Sequence, residues 1–169
     1  MISRNKIRVC NGHPHRGRSL MAAVPEQGQR LPDVEFITEN GERLAAEDLS
    51  GQKTVLYFYP KDNTPGCTKE ACAFRDRMDD YKRAGIEVYG VSLDSPESHR
   101  QFSAEHNLNF PLLTDEGGRA SETLGVLNGR GVANRVTFLL GPDGKIVKVY
   151  PEVSPETHAD EILGDAASL

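Results

Sequence analysis

The stretch TVLYFYPKDNTPGCTKEACAF, residues 54–74, passes from a continuous apolar run through a turn into a helical pattern that carries two cysteines. Residues 54–59 are rich in β-branched and aromatic side chains with no polar alternation, which is the composition of a strand buried on both faces and placed inside a sheet. Pro60 ends that run, because proline has no N–H to give to a ladder. Thr64 and Pro65 supply an N-cap and a first helical residue, and Gly85 supplies a left-handed stop, so a helix is predicted over residues 65–84. Cys67 then falls in the first helical turn. The unpaired amide N–H groups and the positive end of the helix dipole favour an anion there, so the position suits a nucleophilic thiolate.

Helical phase separates the two thiols. At about 100° per residue, Cys67, Ala71, Phe74, Met78 and Tyr81 share one apolar stripe that packs on the sheet. Cys72 lies about 140° round from Cys67, in phase with Asp76 and Arg83, and is the more accessible thiol. Two helical cysteines can be plain packing residues. A zinc site would need about four ligands at closer spacing, and the domain has no second Cys/His cluster. A phosphate-cradling loop would need G-x-x-x-x-G-K-[ST], which is absent. A thioredoxin-type dithiol would read C-x-x-C, whereas this is C-x-x-x-x-C. A cysteine phosphatase would need an arginine six residues on, where Ala73 stands.

Outward from this stretch, short apolar runs alternate with helical patterns, the signature of an α/β domain. Residues 34–38 with the Glu-Asn-Gly turn read as an edge hairpin, and residues 86–92 as a second inner strand. Ser95 with Pro96 starts a helix to about residue 106, and Ser154 with Pro155 repeats that signal for the last helix. Between them come a short strand at 112–114, a helix at 119–124, and a hairpin of 136–140 with 146–150 turned by Gly-Pro-Asp-Gly. The predicted architecture is thioredoxin-like: a central mixed β-sheet with helices on both faces.

A chain of 169 residues, 37% hydrophobic and 27% charged, fits one ordinary globular domain. Five of its 20 Lys and Arg residues (Arg4, Lys6, Arg8, Arg16, Arg18) fall in residues 1–20, which hold no acid, so 25 acidic residues face 15 basic ones in the rest. That acidic body argues against a nucleic-acid partner. No apolar run approaches the roughly 18 residues that span a bilayer, so no membrane helix is expected. Three cysteines are too few for a secreted disulfide framework and point to a reducing cytoplasm. Residues 1–20 lack the apolar core of an export signal, and carry only Ser3 and Ser19 where an organellar transit peptide is serine-rich. They read as a disordered basic tail or translated leader, with the compact domain running over residues 21–169. Cys10, His13 and His15 in that segment lack a fourth metal ligand.

Pro60-x-x-x-Thr64-x-x-Cys67 resembles the peroxiredoxin active-site motif P-x-x-x-T-x-x-C. With Cys72 five residues on, "TPGCTKEAC" is similar to the bacterioferritin comigratory protein, or peroxiredoxin Q, subgroup, over about residues 28–165. The resemblance implies a thiol-dependent peroxidase with Cys67 as peroxidatic cysteine, oxidised by a peroxide to a sulfenic acid. It implies Cys72 as resolving cysteine, forming a Cys67–Cys72 disulfide that thioredoxin or a similar dithiol reduces. No metal or other cofactor is required. Five residues of intact helix put the two Cα atoms roughly 8.6 Å apart, beyond the ~7 Å that a disulfide tolerates. The implied bond therefore requires the first helical turns to unwind.

The same resemblance gives roles to the neighbours. Thr64, an N-cap by its own position, matches the threonine whose hydroxyl bonds the thiolate and the incoming peroxide. Pro60, a strand terminator, matches the residue that screens the sulfur from water. Arg135 opens the strand "RVTFLL" and would read alone as a solvated charge. Its counterpart faces the sulfur and holds the developing negative charge. Glu70, nominally a surface helix residue, matches the acid that orients that arginine. The stretch "GVLNGRGVANRVTFLL" is shorter and more Gly-rich than in many members of the subgroup, which bears on site cover, dimer contacts and peroxide size rather than on the chemistry. The expected partners are a peroxide and a dithiol reductant, with the chain a monomer or a dimer. The rival reading is a non-catalytic redox-regulated chaperone or interaction module on the same fold. Thr64, Cys67 and Arg135 together discriminate against it, since a binding module has no use for an activated thiolate.

Overall fold

A computed structural model describes residues 23–167. Its sheet has seven strands: β1 (Glu35–Thr38), β2 (Arg43–Ala45), β3 (Lys53–Phe58), β4 (Ile86–Ser92), β5 (Leu112–Thr114), β6 (Val136–Leu140) and β7 (Ile146–Tyr150), in the spatial order β2-β1-β5-β4-β3-β6-β7. The apolar run read as an inner strand is β3, flanked by β4 in parallel and β6 antiparallel. Its side chains alternate between two cores, as the period of two requires. Val55, Tyr57 and Tyr59 lie on one side with buried residues of α1 (Pro65–Arg83), α2 (Pro96–His106) and α4 (His158–Ala166). Leu56 and Phe58 lie on the other with Leu31, Leu49 and two residues at α3 (Arg119–Thr123), Ala120 and Leu124. Helices thus cover both faces of a mixed sheet, the thioredoxin-like arrangement that the sequence predicts.

The 19-residue α1 begins at Pro65, as expected, and ends at Arg83. Ala84 caps it, and Gly85 follows at φ 71°, where any residue with a Cβ would be strained. Its buried face is the predicted stripe of Cys67, Ala71, Phe74, Met78 and Tyr81, with Glu70 added. α2 starts on Ser95, whose hydroxyl accepts the Ser98 N–H at 3.2 Å. The last helix differs from expectation. Ser154 and Pro155 do not start it; the Ser154 carbonyl instead accepts the Thr157 and His158 N–H groups, forming a turn, and α4 begins only at His158. Serine before proline fits a turn as well as a cap.

Among the described residues no helix is long and apolar enough to cross a membrane. The predicted tail, with Cys10, His13 and His15, and the proposed start of the domain at Met21 lie outside the described residues.

Candidate active site

The register of the sheet brings the site together. Antiparallel pairing matches Phe58 of β3 with Val136 of β6, so the next residues outward, Tyr59 and Arg135, reach the same end of the sheet. There the chain leaves β3 through Pro60, turns, and enters α1, with Cys67 in the first turn and only 2% exposed. The Arg135 guanidinium forks between two groups: Nη2 donates to the Cys67 sulfur at 3.3 Å, and Nη1 donates to Glu70 Oε1 at 3.1 Å. A planar guanidinium can serve both directions at once, which a lysine ammonium cannot do with the same geometry. Gly66 leaves this approach unobstructed: a Cβ there would stand 3.0 Å from Arg135 Nη2, and the guanidinium would have to give way by a few tenths of an ångström.

Glu70 is fully buried, contrary to its nominal reading as a surface residue. One helical turn from Cys67, it lies on the sheet-facing stripe rather than the solvent face, and its Oε2 has no hydrogen-bond partner among the described residues. Burial raises its carboxyl to about 7, against the opposing pull of the Arg135 charge and hydrogen bond. For Arg135 burial works against the charge, but the charges of Cys67 and Glu70 and the bonds to them outweigh it and raise its pKa further. The guanidinium is therefore a permanent cation beside the sulfur.

Thr64 occupies the N-cap position with extended backbone, yet its side chain caps nothing. Its hydroxyl donates to the Lys61 carbonyl at 2.8 Å. The capping expectation fails here, and the hydroxyl oxygen keeps its acceptor capacity beside the helix start. Pro60 is half-buried between Tyr59, whose N–H is fixed to the Val91 carbonyl at 3.0 Å, and the turn. Cys72 is half-buried, and both it and Cys67 are free thiols in an unbroken helix.

The sequence profile of the AhpC/TSA family matches residues 27–149. The chain belongs to the AhpC/TSA family. It is 38% identical to peroxiredoxin Bcp of Escherichia coli over 143 residues, which is 80% of this chain and 92% of that protein. It is 41% identical to the chloroplastic peroxiredoxin Q of Sedum lineare over 160 residues, 92% of this chain and 85% of that one. Among solved structures, the bacterioferritin comigratory protein of Xanthomonas campestris, trapped as intermediate and ligand complexes in work on its alkyl peroxide reduction, superposes with a TM-score of 0.76 at 30% identity, covering 86% of this chain and 96% of its own. The chain is thus a peroxiredoxin of the Bcp and peroxiredoxin Q kind, an oxidoreductase that reduces peroxide at the expense of a thiol.

In this peroxiredoxin the short loop before Arg135 is a compact hairpin. Leu127 bridges Ala133, the Asn128 carbonyl and amide pair with Gly131 and Val132, and the Asn128 side chain accepts the Arg130 N–H at 2.9 Å. Arg135 is therefore delivered by a closed turn joined directly to β6. A group absent from the sequence reading also stands at the site. Asp62, in the turn after Pro60, is buried and bonded to Tyr59, Ser98 and His99. The only sequence signal was an aspartate inside the motif loop, with nothing local to name its partners 36 and 37 residues away.

Proposed function

We propose that Cys67 is the peroxidatic nucleophile and that Thr64, Arg135, Pro60 and Glu70 serve it in the roles their motif positions imply. The observation that carries this is the Arg135 cation 3.3 Å from a sulfur in the first turn of α1. The cation and the helix terminus both stabilise negative charge that develops at this end of the helix. The thiolate attacks the distal peroxide oxygen; the S–O bond forms, the O–O bond breaks, and the leaving alkoxide or hydroxide takes a proton to become alcohol or water. Sulfur is oxidised by two electrons to a sulfenic acid. Arg135 faces the charge that moves toward the leaving oxygen, and the Thr64 hydroxyl, its proton given to the Lys61 carbonyl, takes the peroxide O–H as acceptor in this reading. Pro60 limits the water that reaches the sulfur. Cys72, as thiolate, then attacks the oxidised sulfur, expelling hydroxide that is protonated to water, and the resulting disulfide is reduced by thioredoxin or a similar dithiol. The substrates are hydrogen peroxide and organic hydroperoxides, and the setting is the cytoplasm.

The test is peroxide consumption coupled to thioredoxin turnover. Cys67→Ser is expected to abolish it, because serine offers no comparable anion at neutral pH. Cys72→Ser is expected to retain one turnover and stall as a sulfenic acid or mixed disulfide. Near wild-type turnover in Cys67→Ser, with the first turnover lost in Cys72→Ser, would reverse the assignment.

A further inference from the structure

Residues 60–63 have no helix or strand of their own, yet they carry the turn on which Thr64 and Cys67 depend. They are held by one buried side chain. Asp62 Oδ1 accepts the Tyr59 hydroxyl at 2.6 Å, and Oδ2 accepts Ser98 Oγ at 2.9 Å and faces His99 Nδ1 at 2.8 Å. The backbone is tied as well: the Asp62 N–H donates to Asp94 Oδ2 at 2.9 Å, and that oxygen also takes the Ser92 hydroxyl at 2.6 Å. Tyr59 directly follows β3 and is bonded to Val91 of β4, Ser92 ends β4, and Ser98 and His99 belong to α2. The turn is thereby fastened to three elements that do not include α1.

The hydrogen-bond inventory fixes the proton at its centre. His99 Nε2 lies 3.0 Å from the Leu113 carbonyl, which can only accept, so Nε2 carries a hydrogen. Nδ1 faces Asp62 Oδ2 at 2.8 Å and, more distantly, the Tyr59 hydroxyl at 3.4 Å, whose own proton goes to Asp62 Oδ1, so the short Nδ1–Oδ2 contact of this pair is a hydrogen bond with one proton between its atoms. With side-chain exposures of 0% for His99 and 2% for Asp62, it is shut off from water and keeps its geometry. Next to it, Asn63 stands at φ 60°, a left-handed conformation that asparagine adopts more readily than other residues with a Cβ and that suits a tight turn. His106 Nε2, at the other end of α2, faces Asn63 Oδ1 at 3.4 Å. The Thr64 hydroxyl follows from this frame, since the Lys61 carbonyl to which it donates is the residue before Asp62.

We propose that Asp62 and His99 are positioning residues for the peroxide-binding turn, and that their pair is the N-terminal limit of the unwinding of α1 during the redox cycle. The proposal rests on the assignment of Cys67 and Thr64 above. Residues 60–63 stay folded in both redox forms, so Thr64 and Pro60 are in place again as soon as the helix re-forms. α1 unwinds on one side of a fixed pin rather than dragging the turn with it.

Three measurements decide it. In Asp62→Ala the single-turnover rate of Cys67 oxidation by hydrogen peroxide falls about tenfold or more, the scale expected when reacting groups are misplaced by a fraction of an ångström. Disulfide formation by Cys72 keeps its rate. Asp62→Asn retains the oxidation rate within about threefold, because the carboxamide still accepts from Tyr59 and gives an N–H to a neutral His99 Nδ1. In the wild-type protein the Asp62 amide stays equally protected from hydrogen exchange in the reduced and disulfide forms. A folded Asp62→Ala variant with an unchanged oxidation rate, a folded Asp62→Asn variant that loses it tenfold, or an Asp62 amide that opens together with Thr68 on oxidation would each overturn the proposal. If Asp62→Ala fails to fold, the other two measurements still decide. Failure of the Cys67 assignment reads out separately, as activity surviving in Cys67→Ser.

Discussion

Arg135 links two groups of different character: the Cys67 sulfur, proposed above as the nucleophile, and Glu70, which burial pushes toward its neutral form. Replacing Arg135 by Ala removes the cation from the sulfur and is expected to slow peroxide attack by about 10²-fold, the usual cost of losing one preorganised charge-stabilising donor. Single-turnover kinetics check this, and an unchanged rate would refute it. Glu70 carries a pH signature of its own. Its folded-state pKa, about 7, stands above the ordinary value of 4.5, so between those limits the native state holds more protons than the unfolded chain. Stability from this group is full below about pH 4.5 and is lost as pH rises through 7, by on the order of 3 kcal/mol at about 1.4 kcal/mol per pKa unit. Glu70→Gln is expected to flatten that slope in denaturant melts taken from pH 4.5 to 8; an unaltered slope would place the proton elsewhere. The place of Cys67 in the first turn of α1 was legible in the sequence because strand, turn and helix start each leave a local pattern, whereas Thr64 and Arg135 drew their roles from the motif resemblance, Arg135 reading alone as a solvated charge. The burial of Glu70 needed the helix phase relative to the sheet, and Asp62 with His99 needed the fold itself.

For α1 the question is how far it opens. The intact helix keeps Cys67 on the sheet-facing stripe and Cys72 half-buried on another face, so a bond between them requires unwinding from the N-terminal end. Unwinding gives up the Arg135 bonds to Cys67 and Glu70 and the burial of Cys67, Glu70 and Ala71, while the Lys69–Glu156 ion pair, exposed on both sides, adds at most about 1 kcal/mol. Beyond Ala73 the hold tightens. Phe74 is fully buried and stacks on Tyr57 at 4.6 Å, Arg75 donates to the last carbonyl of α2 at 2.7 Å, and the Tyr81 hydroxyl donates to Ala159 at 2.7 Å. Opening should therefore stop near Phe74. In the disulfide form, amides from Thr68 to Arg75 are expected to exchange at least about tenfold faster than in the reduced form, and those from Met78 to Arg83 to be unchanged, as sub-global opening within one element requires. Equal protection along the helix with a verified Cys67–Cys72 bond would refute this cycle. The extent of α1 was readable from Thr64-Pro65 and Gly85, because both ends carry residues whose backbone preference is narrow. The start of α4 was not, because Ser154-Pro155 satisfies a turn equally well.

At the scale of the whole molecule, the site belongs to the sheet and its helices, and the described part of the chain ties its own beginning to them. The Gly28 N–H donates to Ile146, Arg30 bridges Lys145, and Leu31 enters the core at 5% exposure, so the body is anchored to β7 from its first turn onward. Residues 1–20 carry five basic side chains and no apolar pattern with which to add to that core. We take the domain to begin at about Met21, with the preceding residues as a tail. Deleting residues 1–20 should then leave peroxidase turnover unchanged and shift the melting temperature by no more than about 2 °C, the change that ~0.5 kcal/mol produces in a domain of this size. The charge argument sharpens the test. Removal of five cations makes the protein more acidic, so any role of the segment in drawing an acidic reductant to the site would show as a rise in the KM for that reductant that disappears at high salt, where such attraction is screened. A truncated protein that folds with the same melting temperature but loses turnover at both low and high salt would place residues 1–20 inside the functional unit and overturn the boundary.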